Sequence, residues 1–462
     1  MRFFMKKILI FLTLMLCFTG CTHHGETPER TETGDGATEK NNQTTPPDTT
    51  DDVLFFVDEN KKSLYTVVYS AEAIEVVRGA AELLRGAIAD ATQTIVRKEN
   101  DTKTVSTPRE ILIGKTNRTE EALFEGLGKR DWRILSEDGR IVIVGGSDFA
   151  TARAAQEFQK LFGADTPYVP NNLSVNGSVS DVYRVALTNS GERTIDVYEL
   201  FPFDADECRL VRRYPVKVGS TGINFRIDRN GREVIVAGSG THAYVLDMET
   251  GELLWETNGS ATSTHGAELL PNGIVATASS GSGSEIRLFD MDGQLKYASV
   301  DFPDAHGVLW DPTLEVLWAV GSNLLRAYRV EKTADRIVMT EDESLRTELP
   351  TASGHDISPI YGDPDRLWIT TTKEVYRFDK TTKQITRFAR TGVVTDSVKG
   401  IGSYPDGTLV TTYPDEKATS LYTWTTEKIN LYFNLGGDLY PFFYETPGMH
   451  YYKCRVINTS YQ

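Results

Sequence analysis

His265-Gly-Ala-Glu-Leu269, His306-Gly-Val-Leu-Trp310, His355-Asp-Ile-Ser-Pro359 and Lys399-Gly-Ile-Gly-Ser403 open four successive segments of the chain, and each has the same sequel. Further runs rich in β-branched and aromatic residues follow, separated by polar turns. In the segment that begins at His265 they are Ile274-Val-Ala-Thr277, Ile286-Arg-Leu-Phe-Asp290 and Leu295-Lys-Tyr297. An earlier segment opens at Ile223-Asn-Phe-Arg-Ile227, and a lone opening, Lys453-Cys-Arg-Val-Ile457, stands near the C-terminus. Successive polar openings lie 41, 49, 44 and 54 residues apart. Four strands repeated every roughly 40–50 residues are the pattern of β-propeller blades.

Five blades are complete on this reading, with Ile429-Asn-Leu-Tyr-Phe433 as the fourth strand of the fifth. The sixth draws on both ends of the domain. Tyr183–Thr188, Thr194–Leu200 and Cys208–Val216 precede the first full blade, and Tyr451–Ile457 follows the last. Joining them closes the ring and leaves no open strand edge. Cys454 then lies on the innermost strand of that blade and Cys208 on the outermost. Three strand spacings put them roughly 14 Å apart, beyond the roughly 7 Å that a disulfide spans between Cα atoms, so both are expected as free thiols. The expected fold is mainly β: a six-bladed β-propeller over 181–462, closed by the C-terminal strand.

A small α+β sandwich domain is expected over 53–178. Ile74, Val77, Ala81, Leu84 and Ile88 recur at helical spacing, and a second helix begins at Ser147-Asp148, carrying Phe149, Ala154, Phe158 and Leu161. Glu110-Ile-Leu-Ile-Gly-Lys-Thr-Asn-Arg118 and Arg140-Ile-Val-Ile-Val-Gly-Gly-Ser-Asp148 resemble the accessory domain that precedes the catalytic barrel of bacterial α-glucuronidases and β-hexosaminidases. No such barrel follows here, so the acid/base carboxylates of those enzymes have no counterpart. Gly145-Gly-Ser147 reads as a tight strand-to-helix turn rather than a phosphate cradle, since it lacks the P-loop spacing and lysine.

The N-terminus reads as an export signal. Arg2, Lys6 and Lys7 precede the apolar run Ile8–Phe18, which is too short for a comfortable membrane span. Thr19-Gly20-Cys21 resembles a bacterial lipobox, which implies cleavage after residue 20 and a diacylglyceryl group on Cys21. Residues 21–52, poor in large apolar side chains, read as a disordered tether, His23 and His24 included. The expected location is the cell envelope, outside the cytoplasm, with a membrane contact through the lipid. A net charge of −16 argues against a nucleic-acid partner, and no two of the four cysteines have zinc-finger spacing.

The first strand of every propeller blade lines the axis, so its polar openings converge however far apart they are in sequence. His265, His306 and His355 are the candidate catalytic residues. Lys399, Lys453, Arg455, Asn224, Glu268 and Asp356 are the candidate substrate-binding residues, with Ile223 or Asn224 in the first blade's opening. A cationic ring in an acidic protein suits an anionic ligand. One chemistry has the lysines and Arg455 hold the carboxylate of a uronic acid while a histidine moves a proton. In the other, the three histidines bind one divalent metal; the metal-free site is favoured. Trp132, Tyr361 and Trp368 are further candidates to stack on sugars, although their strand positions favour core packing.

His265-Gly-Ala-Glu-Leu-Leu-Pro-Asn-Gly273, Ala305-His-Gly-Val-Leu-Trp-Asp311, Gly354-His-Asp-Ile-Ser-Pro-Ile360, Gly362-Asp-Pro-Asp-Arg-Leu-Trp368, Val398-Lys-Gly-Ile401 and Tyr404-Pro-Asp-Gly407 together resemble an uncharacterised bacterial family of six-bladed propeller lipoproteins. That resemblance implies architecture and no activity. The functional expectation is an exported lipoprotein that binds an acidic, uronic-acid-containing glycan or other small anion on the axis, with cleavage by a lyase or hydrolase step left open. The alternative is a non-catalytic surface module that binds carbohydrate or another protein.

Overall fold

Strand residues alternate in direction, so a blade buried on both faces needs apolar side chains on both. The middle strands obey this: Val316–Gly321 and Ile274–Ser279 are buried throughout. The computed structural model describes residues 52–202, 208–217, 219–257, 263–415 and 423–459. The signal, Cys21 and the tether up to residue 51 lie outside the described residues. Among the described residues no helix is long and apolar enough to cross a membrane.

Six antiparallel sheets surround one axis. Their innermost strands are Ser220–Ile227, Thr264–Leu269, Ala305–Asp311, Gly354–Pro359, Gly400–Ser403 and Tyr451–Val456. The last of these pairs with Tyr183–Asn189, so the C-terminal strand completes the blade begun before residue 220. Cys454 and Cys208 lie on the innermost and outermost strands of that blade, and both are free.

The fifth blade departs from the sequence reading. Lys428–Leu435 is its third strand, and Asp438–Glu445, unassigned from the sequence, is the fourth. Gly436 and Gly437 join them with φ of 64° and 98°, a two-residue hairpin that needs left-handed backbone at both positions. The third blade also carries a short extra strand, Thr347–Glu348, on its third strand.

The upstream domain is a six-stranded mixed sheet with two helices, α1 (Glu75–Thr92) and α2 (Asp148–Gln159). Val77, Ala81, Leu84 and Ile88 face the core as expected, but Ile74 caps α1 and is exposed, and Leu161 lies beyond the end of α2. Ser147 Oγ caps α2 by accepting from Ala150 N at 3.1 Å. A Cβ on Gly145 would stand 2.4 Å from Thr151 N, so close packing of strand on helix explains that glycine.

Both helices pack on the fifth blade. Phe149 meets Phe433 with ring centroids 4.4 Å apart, and the Arg153 guanidinium lies 5.0 Å from the Phe433 ring. Gly79 faces the Tyr440 hydroxyl with no room for a side chain. One apolar core runs from Phe56 and Phe158 to Phe433 and Val456, making the two domains one compact unit. Trp132 and Trp368 are buried in cores, and Tyr361 is partly buried with its hydroxyl on Asn458 O at 3.0 Å. None of the three offers a free stacking face.

Candidate functional site on the propeller axis

Each of the three histidines occupies a β-bulge. Pairing on the inner strands slips between Thr264 and Gly266, between Ala305 and Gly307, and between Gly354 and Asp356. A bulge leaves one residue unpaired and re-aims its side chain, which turns His265, His306 and His355 toward one another at one end of the axis. In the first blade the slip falls between Ser220 and Gly222, so Thr221 holds the equivalent place. Ile223 and Asn224, expected there, sit further along and are buried. In the sixth blade the slip spans Tyr451 to Cys454, leaving Tyr452 and Lys453.

Where a glycine follows the bulge, in the first three blades, it has a steric reason; Asp356 takes that place in the fourth. A Cβ on Gly222 would stand 2.5 Å from His265 O, and one on Gly266 would stand 3.1 Å from Gly307 Cα. Neighbouring blades touch backbone to backbone at these places, which leaves little or no room for a side chain.

The imidazoles meet. Ring centroids are 4.3 Å apart for His265 and His306 and 5.1 Å for His306 and His355. His306 Nδ1 lies 2.8 Å from Asp304 O, and a carbonyl only accepts, so the proton sits on that nitrogen. Lys399 Nζ lies 2.9 Å from His355 Nε2. An ammonium only donates, so Nε2 accepts and the His355 ring proton belongs on Nδ1. That Nδ1, like Nδ1 of His265, is buried without a hydrogen-bond partner among the described residues.

These surroundings keep two of the rings, His265 and His355, neutral. Burial first, then His306 and Lys453, pushes His265 down to about 3. Burial first, then Lys399 and His306, pushes His355 down to about 2. Burial also lowers the Lys399 amine from its ordinary value. Sequence reading expected a ring of mutually repelling cations; the hub avoids most of that repulsion by leaving two imidazoles uncharged.

Beneath the histidines lies a second tier. Lys453 Nζ donates to His355 O at 2.8 Å, His306 O at 3.0 Å and His265 O at 3.2 Å. Three donors meet three carbonyls from three blades, and Asp356 Oδ1 stands 3.3 Å away. Arg455 forks onto Asp356, with Nη2 to Oδ1 at 2.8 Å, and its Nε donates to Asn224 Oδ1 at 3.1 Å. Glu268 takes Arg226 Nε at 2.9 Å and the backbone N–H of Trp310 at 3.0 Å. Burial alone would raise the Asp356 carboxyl, but Arg455 and Lys453 beside it hold it below the usual range.

The candidate residues therefore divide. His265, His306, His355 and Lys399 come together at the mouth. Lys453, Arg455, Asn224, Glu268 and Asp356 are buried below it and are engaged with one another or with backbone. Lys453 and Arg455, expected to grip a ligand's carboxylate, grip Asp356 instead, because a buried cation must be paired. Among the described residues no group of three or more His, Cys, Asp or Glu side chains is placed to hold a metal ion.

A cleft of about 530 Å³ opens beside the mouth, where blades six, one and two meet. His265, Tyr452, Thr221, Arg193 and Trp424 are among the residues that line it. Trp424 is 43% exposed. Arg193, in the turn before Thr194–Leu200, is exposed and pairs with no carboxylate among the described residues. None of Thr221, Tyr452, Arg193 or Trp424 was singled out as a site residue from the sequence. Thr221-Gly222 matches His265-Gly266 and His306-Gly307, and that dipeptide register was the available signal. Arg193 and Trp424 lie in loops outside the repeat and carried none.

Fold and hub together define a class: a six-bladed propeller whose axis is closed by buried ion pairs and whose one end bears basic side chains. Residues 220–440 match the model of a family of unknown function (DUF6528), a span just under half of the chain that stops short of the closing strand and of the upstream domain. No curated protein matches the chain. Three solved structures are similar in part. A protein of unknown function from Bacteroides caccae is 13% identical, with 60% of this chain and 100% of that one covered and a TM-score of 0.43. A functionally unknown protein from Desulfotomaculum acetoxidans DSM 771 is 13% identical, covering 56% and 78% with a TM-score of 0.38. Virginiamycin B lyase from Staphylococcus aureus is 15% identical, covering 57% and 82% with a TM-score of 0.36.

Proposed function

We propose that the protein binds a carboxylate-bearing sugar, such as a uronic-acid residue of an acidic glycan, in the cleft over the axial histidines. The observation that carries this reading is that one cleft is lined by the Arg193 guanidinium, which has no carboxylate partner among the described residues, by the exposed Trp424 and by His265. A guanidinium fork matches a carboxylate, and an indole face covers the apolar face of a pyranose. His265 adds a ring nitrogen to the lining, and Lys399, which lies against His355 in the same cluster, adds positive potential in a protein of net charge −16. Binding without cleavage fits these groups best. A general base works best with a pKa near the operating pH, and His265 and His355 are held far below it. The N-terminal signal and Cys21 suit the same role, a receptor tethered at the cell envelope.

Calorimetry with oligogalacturonides and oligoglucuronides tests the proposal. Wild type is expected to bind one of them saturably. Arg193→Ala and Trp424→Ala should each weaken that binding by about tenfold or more, the loss of roughly 1.4 kcal/mol. Equal affinity in wild type and both variants would overturn the assignment of the cleft. Release of unsaturated or reducing ends by wild type would overturn the non-catalytic reading and point to a histidine as the proton carrier.

A further inference from the structure

A second basic site lies on the outer part of the fourth blade, far along the sheet from the hub. Arg377 is the middle residue of Val375–Asp379, flanked in register by Trp368 on one side and Thr386 on the other. Its guanidinium carbon lies 5.0 Å from the Trp368 ring and 4.8 Å from the Phe388 ring. The two aromatic rings hold the guanidinium in one place, so little side-chain freedom is left to lose on binding. Yet its Nε is buried without an acceptor, and the guanidinium has no ion pair among the described residues.

Its neighbours compensate it only in part: Asp363 favours its charge, but less than burial and two nearby arginines oppose it. Arg366 and Asp379 lie on the same face of the sheet, and Asp379 is already engaged by the N–H and hydroxyl of Thr382 and by Arg366 at 3.6 Å. Arg366 also takes Asp363 at 3.0 Å. Arg390 is close enough, with Arg366, to depress the Arg377 guanidinium after burial has done so. Arg377 lines a cleft of about 340 Å³ together with Arg366, the Asp379 that Arg366 and Thr382 engage, and the exposed Thr382, Thr386 and Gln384. A fixed, partly buried and unpaired guanidinium beside two further arginines is costly unless an anion joins it.

We infer that this cleft is a binding site for a tetrahedral oxyanion, the sulfate or phosphate group of an ester or of the free ion, with Arg377 as its anchor, Arg366 as a second cation and Thr386 and Gln384 as donors. Forked guanidinium contacts and a hydroxyl suit the several acceptors of such a group. The site is independent of the axial cleft in residues and in ligand.

Titration of the intact folded protein with inorganic sulfate, inorganic phosphate, glucose 6-sulfate and glucose 6-phosphate, followed by NMR, tests this, with acetate as a planar control. Wild type is expected to saturate with at least one tetrahedral anion and to bind acetate more weakly. Tighter binding of an ester than of its free ion would assign the ester as the ligand, and equal binding the free ion. Arg377→Met keeps the stem on the two rings and removes the fork; it should weaken binding by about tenfold or more while the protein stays folded. Arg377→Lys keeps the charge and should recover only part of the affinity. No saturation by any tetrahedral anion, equal affinity in wild type and Arg377→Met, or acetate binding as tight as the rest would each overturn the inference.

Discussion

Lys453→Met should destabilise the protein by about 3–5 kcal/mol, the usual cost of removing one partner from a buried ion pair. The side chain is nearly isosteric, so packing survives and the loss reports the ammonium. Three carbonyls, of His265, His306 and His355, lose their shared donor inside a hub that water does not reach freely. Asp356 keeps Arg455, which limits the damage to one cation. The consequence extends to the mouth, because the same ammonium both fixes the backbone under the imidazoles and helps keep two of them neutral. In Lys453→Met, His265 and His355 should titrate at higher pH than in wild type. Denaturant unfolding and histidine NMR measure the two effects. Unchanged stability together with unchanged titration would show that the lysine does not hold the hub.

Glu268→Gln should be nearly as costly, again about 3–5 kcal/mol. Glu268 is fully buried and accepts from Arg226 Nε, from its neighbour's backbone at Leu269 N (2.7 Å) and from Trp310 N (3.0 Å). Arg226 Nη2 is a fourth donor, at 2.5 Å, so both oxygens are fully engaged and the amide nitrogen of glutamine must face an N–H or the guanidinium. Arg226 then keeps its charge in the interior after losing this counter-ion. Removing both charges should cost less than removing one: Arg226→Met with Glu268→Leu is expected to recover part of the loss. If the double variant is less stable than either single one by simple addition, the pair is not coupled as described.

The propeller was legible because its evidence is periodic. Openings at regular intervals, runs of alternating apolar residues and turn residues between them all repeat, so an error in one blade is corrected by the next. The fifth blade shows the limit: its fourth strand, Asp438–Glu445, is rich in aromatic residues but is interrupted by Pro441, which weakens a strand reading, and the Gly436-Gly437 turn was the clearest mark of it. Convergence of His265, His306, His355 and Lys399 was also legible, since topology alone dictates it. What the cations do was not. Whether a lysine at the hub faces a ligand or a buried aspartate depends on depth along the axis, and a one-residue bulge decides that. Lys453 and Arg455 fell to the inner tier for this reason, and Thr221 took the place assigned to Ile223 or Asn224. Arg193 and Trp424 come from connecting loops, whose positions follow from the closed ring and from no local pattern.

Closure by a terminal strand has a functional side. The strand Tyr451–Val456 supplies Tyr452 to the cleft lining and Lys453 and Arg455 to the tier below. The segment that completes the ring therefore also assembles the site, and an incompletely closed propeller would lack both.

The most direct test of the axial reading is NMR of the histidine ring nitrogens and the Trp424 indole N–H during titration with an oligogalacturonide that binds. If the ligand sits in the axial cleft, the His265 ring and the Trp424 indole shift together and saturate at the calorimetric affinity. Saturation of binding with both signals unmoved would place the ligand elsewhere and contradict the account.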